Sequence, residues 1–430
     1  MSRHLLLLCP NPVGERMRGL GIRYTEIARA LHGDGVEVTL AAPAVEGAAP
    51  EGVHCTTWSL DRLRPLRTLL AGVDAVLAPP GPPHVMRALR RADARVAIDL
   101  YDPVPLEVLE RFRGARSPLR TLHSITATDQ LEDALRTGHF YVCASERQRD
   151  LWLGALLVLG LLTPAAHDRD PTLRSLIDVM PFGVPTAPPR PGAAAHAIRE
   201  RFAQICSEDR VLLWNGGLWR WLDAPSAIRA VARVRANGTA VRLVFMGASE
   251  AGGGAQALAE ARAAVARERL GEAVLFNDRW VDYHERAAWL LDADAAISTH
   301  RDHLETRFAF RTRLLDCLWA GLPPVVTGGD ELAAQIARHD LGAVSEPGDV
   351  AGLAAGIEVV LSRGRDAYAP RLRAAAEAYT WPRVVAPLRA FVTGRDRAVS
   401  VAPSPLARPG ARPARRVAQR VTRAARALRG

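Results

Sequence analysis

The sequence predicts an α/β protein built as two doubly wound, Rossmann-like domains facing each other across a cleft. Three observations predict it. Short apolar runs alternate with amphipathic stretches through the first half, a turn-rich segment VPTAPPRPG (Val184 to Gly192) interrupts them, and after one further helix the alternation restarts. A chain of 430 residues with 48% hydrophobic content is long enough to bury two cores of ordinary size.

The first domain is assigned to residues 1–186. HLLLLCP (4–10) reads as a buried strand, followed by a loop bearing Gly and Arg, an amphipathic helix at YTEIARALHGDG and a second strand at VEVTLAAP (36–43). Strand, loop, helix and strand make a βαβ unit. Further strands are predicted at 74–79, 94–100, 139–145 and 177–183, implying a mostly parallel sheet.

Residues 187–208 are read as linker plus helix, the helix over 194–206. The second domain, 209–375, shows strands at RVLLWNGG (210–217), VRLVFMG (241–247), AVLFNDRW (273–280), DAAIST (294–299) and PPVVTG (323–328). Ligands of doubly wound sheets gather at the carboxyl ends of such strands. Residues 376–395 form a closing helix. From 396 to 430 composition shifts to Ala, Arg and Pro, a tail read as disordered and solubilising, with a weak basic amphipathic face as the competing reading, able to touch an anionic membrane.

Charge narrows the partners. All 56 basic residues are arginine, so any phosphate-binding cation here must be one. Eight arginines in residues 401–430 account for most of the net +10, leaving about +2 on the rest, so the basic balance belongs to the tail and does not argue for nucleic acid. Five widely spaced cysteines without a CxxC suggest neither disulfides nor zinc, and fit a reducing cytoplasm. The longest apolar run, LWLGALLVLGLL (151–162), is too short to span a bilayer.

The densest chemistry lies in HRDHLETRFAFRTRLLDCLWAGLPPVV (300–326). On a helical wheel Phe310, Leu314, Leu315, Leu318 and Trp319 fill one arc, and Arg311 falls in its middle. Its guanidinium either runs off the helix start to an anion bound at the free N–H groups, or pairs with Glu305 or Asp302. Glu305 in the loop and Asp316 in the helix can grip two ends of one ligand, as carboxylates grip vicinal hydroxyls.

RFAFRTRLLDCLWAGLPPVV resembles the donor-site helix of GT-B glycosyltransferases, specifically the large retaining family 4 (glycosyltransferase group 1). In the family's order follow the N-terminal glycine loop in RMRGLGIRYTEIARALHGDGVEVTLAAP, the end of the acceptor domain in MPFGVP, the donor-domain opening in LLWNGGLWRWLDAPSAIRAVARVR, and a final crossing helix in AYTWPRVVAPLRAF. The resemblance covers about residues 1–395 and implies a nucleotide-diphosphate sugar as donor, retention of configuration, no metal and no cofactor. It implies ribose contact for Asp316. Eight residues before it stands Phe308, so the first acid of the family's Glu-x7-Glu motif is missing and Glu305 is its replacement on a loop of different length.

The same resemblance places the diphosphate near Gly217, Thr312 and the arginines Arg220, Arg311 and Arg313, and the base near Trp280, Val281 and Tyr283. Gly19 and Gly21, flanked by Arg18 and Arg23, let backbone N–H groups approach phosphate or sugar; Asp102 in DLYDPVP stands where many members carry a histidine near the reacting sugar. The bets for catalysis are Glu305, Arg311, Arg220 and Asp102. The acceptor is a carbohydrate, a lipid-linked glycan or a small molecule, and the location cytoplasmic, with peripheral membrane contact through the tail. A hydrolysing nucleotide-sugar 2-epimerase and a non-catalytic nucleotide-sugar scaffold are the rivals. DAD (292–294) is expected to be structural, GASEAGGGAQ (247–256) a linker, and His300 and His303 solvated or substrate-facing.

Overall fold

The computed structural model describes residues 3–59, 63–114, 118–192, 196–248 and 254–394. The basic tail and the centre of GASEAGGGAQ lie outside the described residues. Seven parallel strands form the first sheet: β1 (His4–Leu8), β2 (Glu37–Ala42), β3 (His54–Thr57), β4 (Ala75–Ala78), β5 (Arg95–Asp99), β6 (Phe140–Cys143) and β7 (Ile177–Val179), in the order β3-β2-β1-β4-β5-β6-β7. Six more form the second: β8 (Arg210–Gly217), β9 (Val241–Gly247), β10 (Val274–Phe276), β11 (Ala295–Ser298), β12 (Pro324–Thr327) and β13 (Ala343–Ser345), in the order β10-β9-β8-β11-β12-β13.

Both sheets are parallel throughout and reverse their winding beside the first strand, at β1/β4 and β8/β11. Helices cover both faces, which is why the strands read as unbroken apolar runs: Leu5 to Leu8 and Val211 to Trp214 have no exposed surface. The edge strands β3 and β13 were not foreseen, since HCTT and AVS are short and only half-buried. The helix expected over 194–206 is Ala197–Arg201. Asp292 of DAD accepts from the N–H groups of Ile198 and Arg199 there, while Asp294 holds Val211 N at 2.7 Å and Arg210 at 3.0 Å, so both acids are structural.

The chain crosses between the domains twice. At the second crossing Val184 N donates to Tyr379 O (2.8 Å) and Trp381 N to Val184 O (3.1 Å), tying both crossings side by side. The closing helix Ala386–Thr393 then returns to the first domain, where Phe391 stacks on Phe140 with centroids 5.1 Å apart. Among the described residues no helix is long and apolar enough to cross a membrane.

Candidate active site

The loops leaving β1 and β5 in one domain face those leaving β8, β10, β11 and β12 in the other. β8 ends in Asn215-Gly216-Gly217, where its register against β9 shifts. Gly216 has φ +155°, and a Cβ there would stand 3.2 Å from the Arg313 guanidinium carbon. The backbone conformation favours glycine, and a methyl there would press on the Arg313 guanidinium.

Arg313 is held by its own backbone, whose carbonyl accepts from Asn215 Nδ2 at 2.8 Å. Its Nη2 donates to Gly217 O (3.2 Å), its guanidinium lies 5.5 Å from the Trp214 ring centroid, and the buried Nη1 has no hydrogen-bond partner. Burial, and next the Arg311 guanidinium, pull its pKa down to about 10. Its charge is thus held without a carboxylate and with one donor unmet, a chemistry suited to an anion.

Arg311 does something else. The helix starts at Thr312, so Arg311 is its N-cap and not part of its first turn as the wheel assumed, and its side chain turns inward, paired with Asp330 and donating to Thr327 O at 2.8 Å. Asp330 in turn caps the helix Glu331–Arg338 by accepting from Ala333 N. The expectation that Arg311 reaches an anion off the helix end is therefore corrected: it is buried against an acid from the next strand's loop, neither Glu305 nor Asp302. Thr312 opens the helix, though its own N–H is taken by Phe310 O.

Glu305 sits on a short helix, Leu304–Phe308, rather than in the open loop that the sequence suggested. Only 3% of its surface is exposed and Oε2 lacks a hydrogen-bond partner. Burial lifts its pKa to about 7, against the opposing pull of Arg311 and with help from Glu110, Asp102 and Asp330. Neither histidine is solvated. His300 is buried with Nδ1 unpartnered, and burial beside Arg311 and Arg313 drives its pKa well down, so the ring is neutral. His303 caps the Glu305 helix by accepting from Thr306 N.

Across the cleft, Asp102 follows β5 and is half-buried, its pKa raised well above the usual carboxylate range by burial and then by Glu107 and Asp99. Glu107, on the helix Val104–Arg111, is raised to about 7 by burial and by Glu305. Gln148 bridges the domains, its Nε2 donating to Tyr101 O (2.9 Å) and Phe308 O (2.8 Å). Arg147 reaches Gly329 O at 2.7 Å.

The other expected residues are spread around this centre. Arg220 is not with Arg313. It donates to Arg111 O of the first domain (3.2 Å) and lines a separate charged recess with Glu110, Arg113, Glu260 and Arg301. Asp316 gives Oδ1 to Arg286 Nε at 3.0 Å. Arg286 lies 3.6 Å from the Tyr283 ring centroid and donates to Tyr283 O, so Asp316, Arg286 and Tyr283 form one wall with Val281 packed against the core. Trp280 projects from the β10 loop, 46% exposed.

Gly19 and Gly21 start the helix Gly19–Gly33. A Cβ on Gly19 would meet nothing within 4 Å, whereas one on Gly21 would stand 2.5 Å from Pro12 O, so Gly21 serves packing and Gly19 leaves open approach. Arg23 turns away from the glycine loop into the core, buried on Asp99 (2.9 and 3.1 Å) and the carbonyls of Met180 and Pro181.

Glu107, Gln148, Arg286 and Asp330 were missed by sequence reasoning. Asp330 alone carried a signal, an Asp directly before the helical run ELAAQIAR, which is an N-cap pattern.

Residues 209–363 match the family described as Glycosyl transferases group 1. A comparison by sequence with curated proteins finds no match. Solved structures do match along nearly their whole length. A glycosyltransferase from Rickettsia africae has TM-score 0.63 at 14% identity, covering 92% of this chain and 100% of that one. The sucrose-phosphate synthase of Thermosynechococcus elongatus has TM-score 0.60 at 14% identity, covering 91% and 98%. The Anabaena protein HepE, in complex with UDP and glucose, has TM-score 0.54 at 15% identity, covering 93% and 97%. The chain has the GT-B fold, and residues 209–363 of its second domain match the group 1 glycosyl transferase family.

Proposed function

We propose that the protein transfers a glycosyl group from a nucleotide-diphosphate sugar to an acceptor hydroxyl, with retention of anomeric configuration and without a metal ion. One observation carries this reading: the Arg313 guanidinium, its Nη1 without a hydrogen-bond partner, beside the Gly216-Gly217 turn and the start of the 312–320 helix. A diphosphate there meets a buried cation, backbone N–H groups and the positive end of a helix.

The diphosphate then extends from this turn toward the wall of Asp316, Arg286 and Tyr283, where Asp316 takes the ribose and the loop from Trp280 the base. The transferred sugar lies toward Glu305 and Asp102, with Gly19 open above it. Departure of the diphosphate puts negative charge on its oxygen, which Arg313 and the helix start stabilise, and that oxygen accepts the proton of the acceptor hydroxyl on the same face. These groups supply the electrostatic role a divalent ion would fill. The acceptor is a glycan, a glycolipid or a glycosylated metabolite.

Thermal shift across UDP, GDP, ADP and dTDP tests the reading, because a ligand at a hundred times its dissociation constant stabilises by about 2.7 kcal/mol. UDP comes first, since the similar HepE structure holds UDP. Failure of all four to stabilise the protein would sink the proposal. Donor incubated without acceptor, followed by NMR, separates transfer from epimerisation: a free 2-epimer would replace glycosyl transfer.

A further inference from the structure

Three carboxylates meet where the first domain's helix Val104–Arg111 packs against the second domain's helix Leu304–Phe308. Asp102 and Glu107 come from one side and Glu305 from the other, while nearby Glu110 is paired with Arg113 at 2.7 Å. The surrounding cations are committed elsewhere. Arg23 is consumed by Asp99 and two carbonyls, and Arg311 by Asp330 and the end of β12. Arg111 pulls on Glu107, and Arg311 on Glu305, without an ion pair to either.

His303 Nδ1 lies 3.7 Å from the orphaned oxygen of Glu305. That nitrogen already accepts from Thr306 N (3.2 Å), while Nε2 lies 3.2 Å from Trp221 O. His303 is therefore the neutral tautomer with its proton on Nε2, and it presents a lone pair, not a charge, to Glu305. Glu305 Oε2 also has no hydrogen bond to Glu107 or Asp102, so the acids do not settle their repulsion by sharing a proton through it. A buried acceptor and two further acids across the cleft, with no arginine among the described residues in ion-pair contact with any of the three, suit a positive donor.

We propose that Asp102, Glu107 and Glu305 form a receptor for an ammonium group, so that the sugar transferred, or the acceptor that receives it, is a basic amino sugar. This rests on the donor-site reading above, which places the sugar between the same residues. A primary ammonium brings three N–H donors and a charge; a hydroxyl brings one donor and leaves the repulsion in place. An N-acetylated sugar loses both the charge and two of the donors.

The test is calorimetric titration at pH 7 in two arms. In the acceptor arm, glucosamine, glucose and N-acetylglucosamine are titrated into the full chain saturated with UDP; in the donor arm UDP-glucosamine is compared with UDP-glucose. The expected result is that the amine binds roughly ten- to a hundredfold more tightly than its neutral analogue in one arm, the scale of a charge-assisted contact. That preference should collapse in Glu305→Gln and Glu107→Gln, with UDP affinity unchanged. Asp102→Asn serves as a third variant should either of these fail to fold. Equal binding of amine and neutral sugar in both arms, or a preference that survives the substitutions, overturns the proposal. Should UDP itself not bind, the nucleotide reading fails separately, and glucosamine against glucose titrated alone still decides the ammonium site.

Discussion

The guanidinium of Arg311 and the carboxylate of Asp330 pair between the starts of two neighbouring helices, neither side chain more than 1% exposed. Removing one partner of such a pair strands the other charge in the interior, which costs about 3–5 kcal/mol. Arg311→Ala is therefore expected to lower the urea midpoint sharply, while the protein that remains folded keeps its affinity for nucleotide. Loss of nucleotide binding at wild-type stability would return Arg311 to the donor site.

Arg313 should behave in the opposite way. Its guanidinium is buried without a carboxylate, so Arg313→Ala is expected to leave stability unchanged or slightly higher. Affinity for UDP should fall by roughly ten- to a hundredfold, the scale of a lost charged contact, and affinity for uridine should not. Titration calorimetry with the two ligands checks it; an equal loss for both would show that Arg313 shapes the pocket instead of holding phosphate. Arg313→Lys should fall between, because an ammonium cannot serve Gly217 O and a phosphate in the same planar geometry.

The two glycines of the first-domain loop separate cleanly. Gly21→Ala drives a methyl to 2.5 Å from Pro12 O and is expected to destabilise by about 1–3 kcal/mol. Gly19→Ala meets nothing and gains helix propensity, so thermal unfolding should stay at or above wild type. Its kcat/KM with donor and acceptor should nonetheless drop by at least about tenfold if the sugar approaches this backbone. Wild-type turnover in Gly19→Ala would remove the loop from the site.

Glu305 makes the stability depend on pH. Its carboxyl is raised from the ordinary value to about 7 in the folded chain, so the folded state binds a proton that the unfolded state has already released. Stability therefore falls as pH rises from about 4.5 to about 7 and the penalty is complete above that. Glu305→Gln removes the titration. The variant's gain over wild type in urea midpoint is expected to be near zero at pH 4.5 and largest at pH 8. Because Glu107 titrates near the same value and faces Glu305, the change belongs to the pair. A gain that is constant across this range would show that Glu305 does not carry the proton.

How far the sequence reaches can be seen in particular residues. Strands such as VRLVFMG were legible to the residue because a parallel strand buried on both faces leaves a nearly continuous apolar run, broken here only by Arg242. HCTT and AVS carry no such signature at the sheet edges. At the site, periodicity rightly implied an inward Arg311, although the helix begins one residue after it, and left its partner open, since a wheel ends with its helix and Asp330 belongs to another loop. The same blindness to tertiary neighbours hid Glu107, which matters only because Glu305 comes to face it, and Gln148, whose partners lie 47 and 160 residues away. Chemistry confined to one segment can be read from that segment. Chemistry made by two domains meeting cannot.

The pairing of Val184 with Thr380 and Trp381 has a mechanical consequence. A single tether would let two bodies swivel and slide; two adjacent crossings, hydrogen-bonded to each other, leave bending about one line as the compliant motion. Opening then carries Glu107 and Glu305 along a fixed arc, so the width of the cleft and the repulsion between its walls vary together, as a single coordinate.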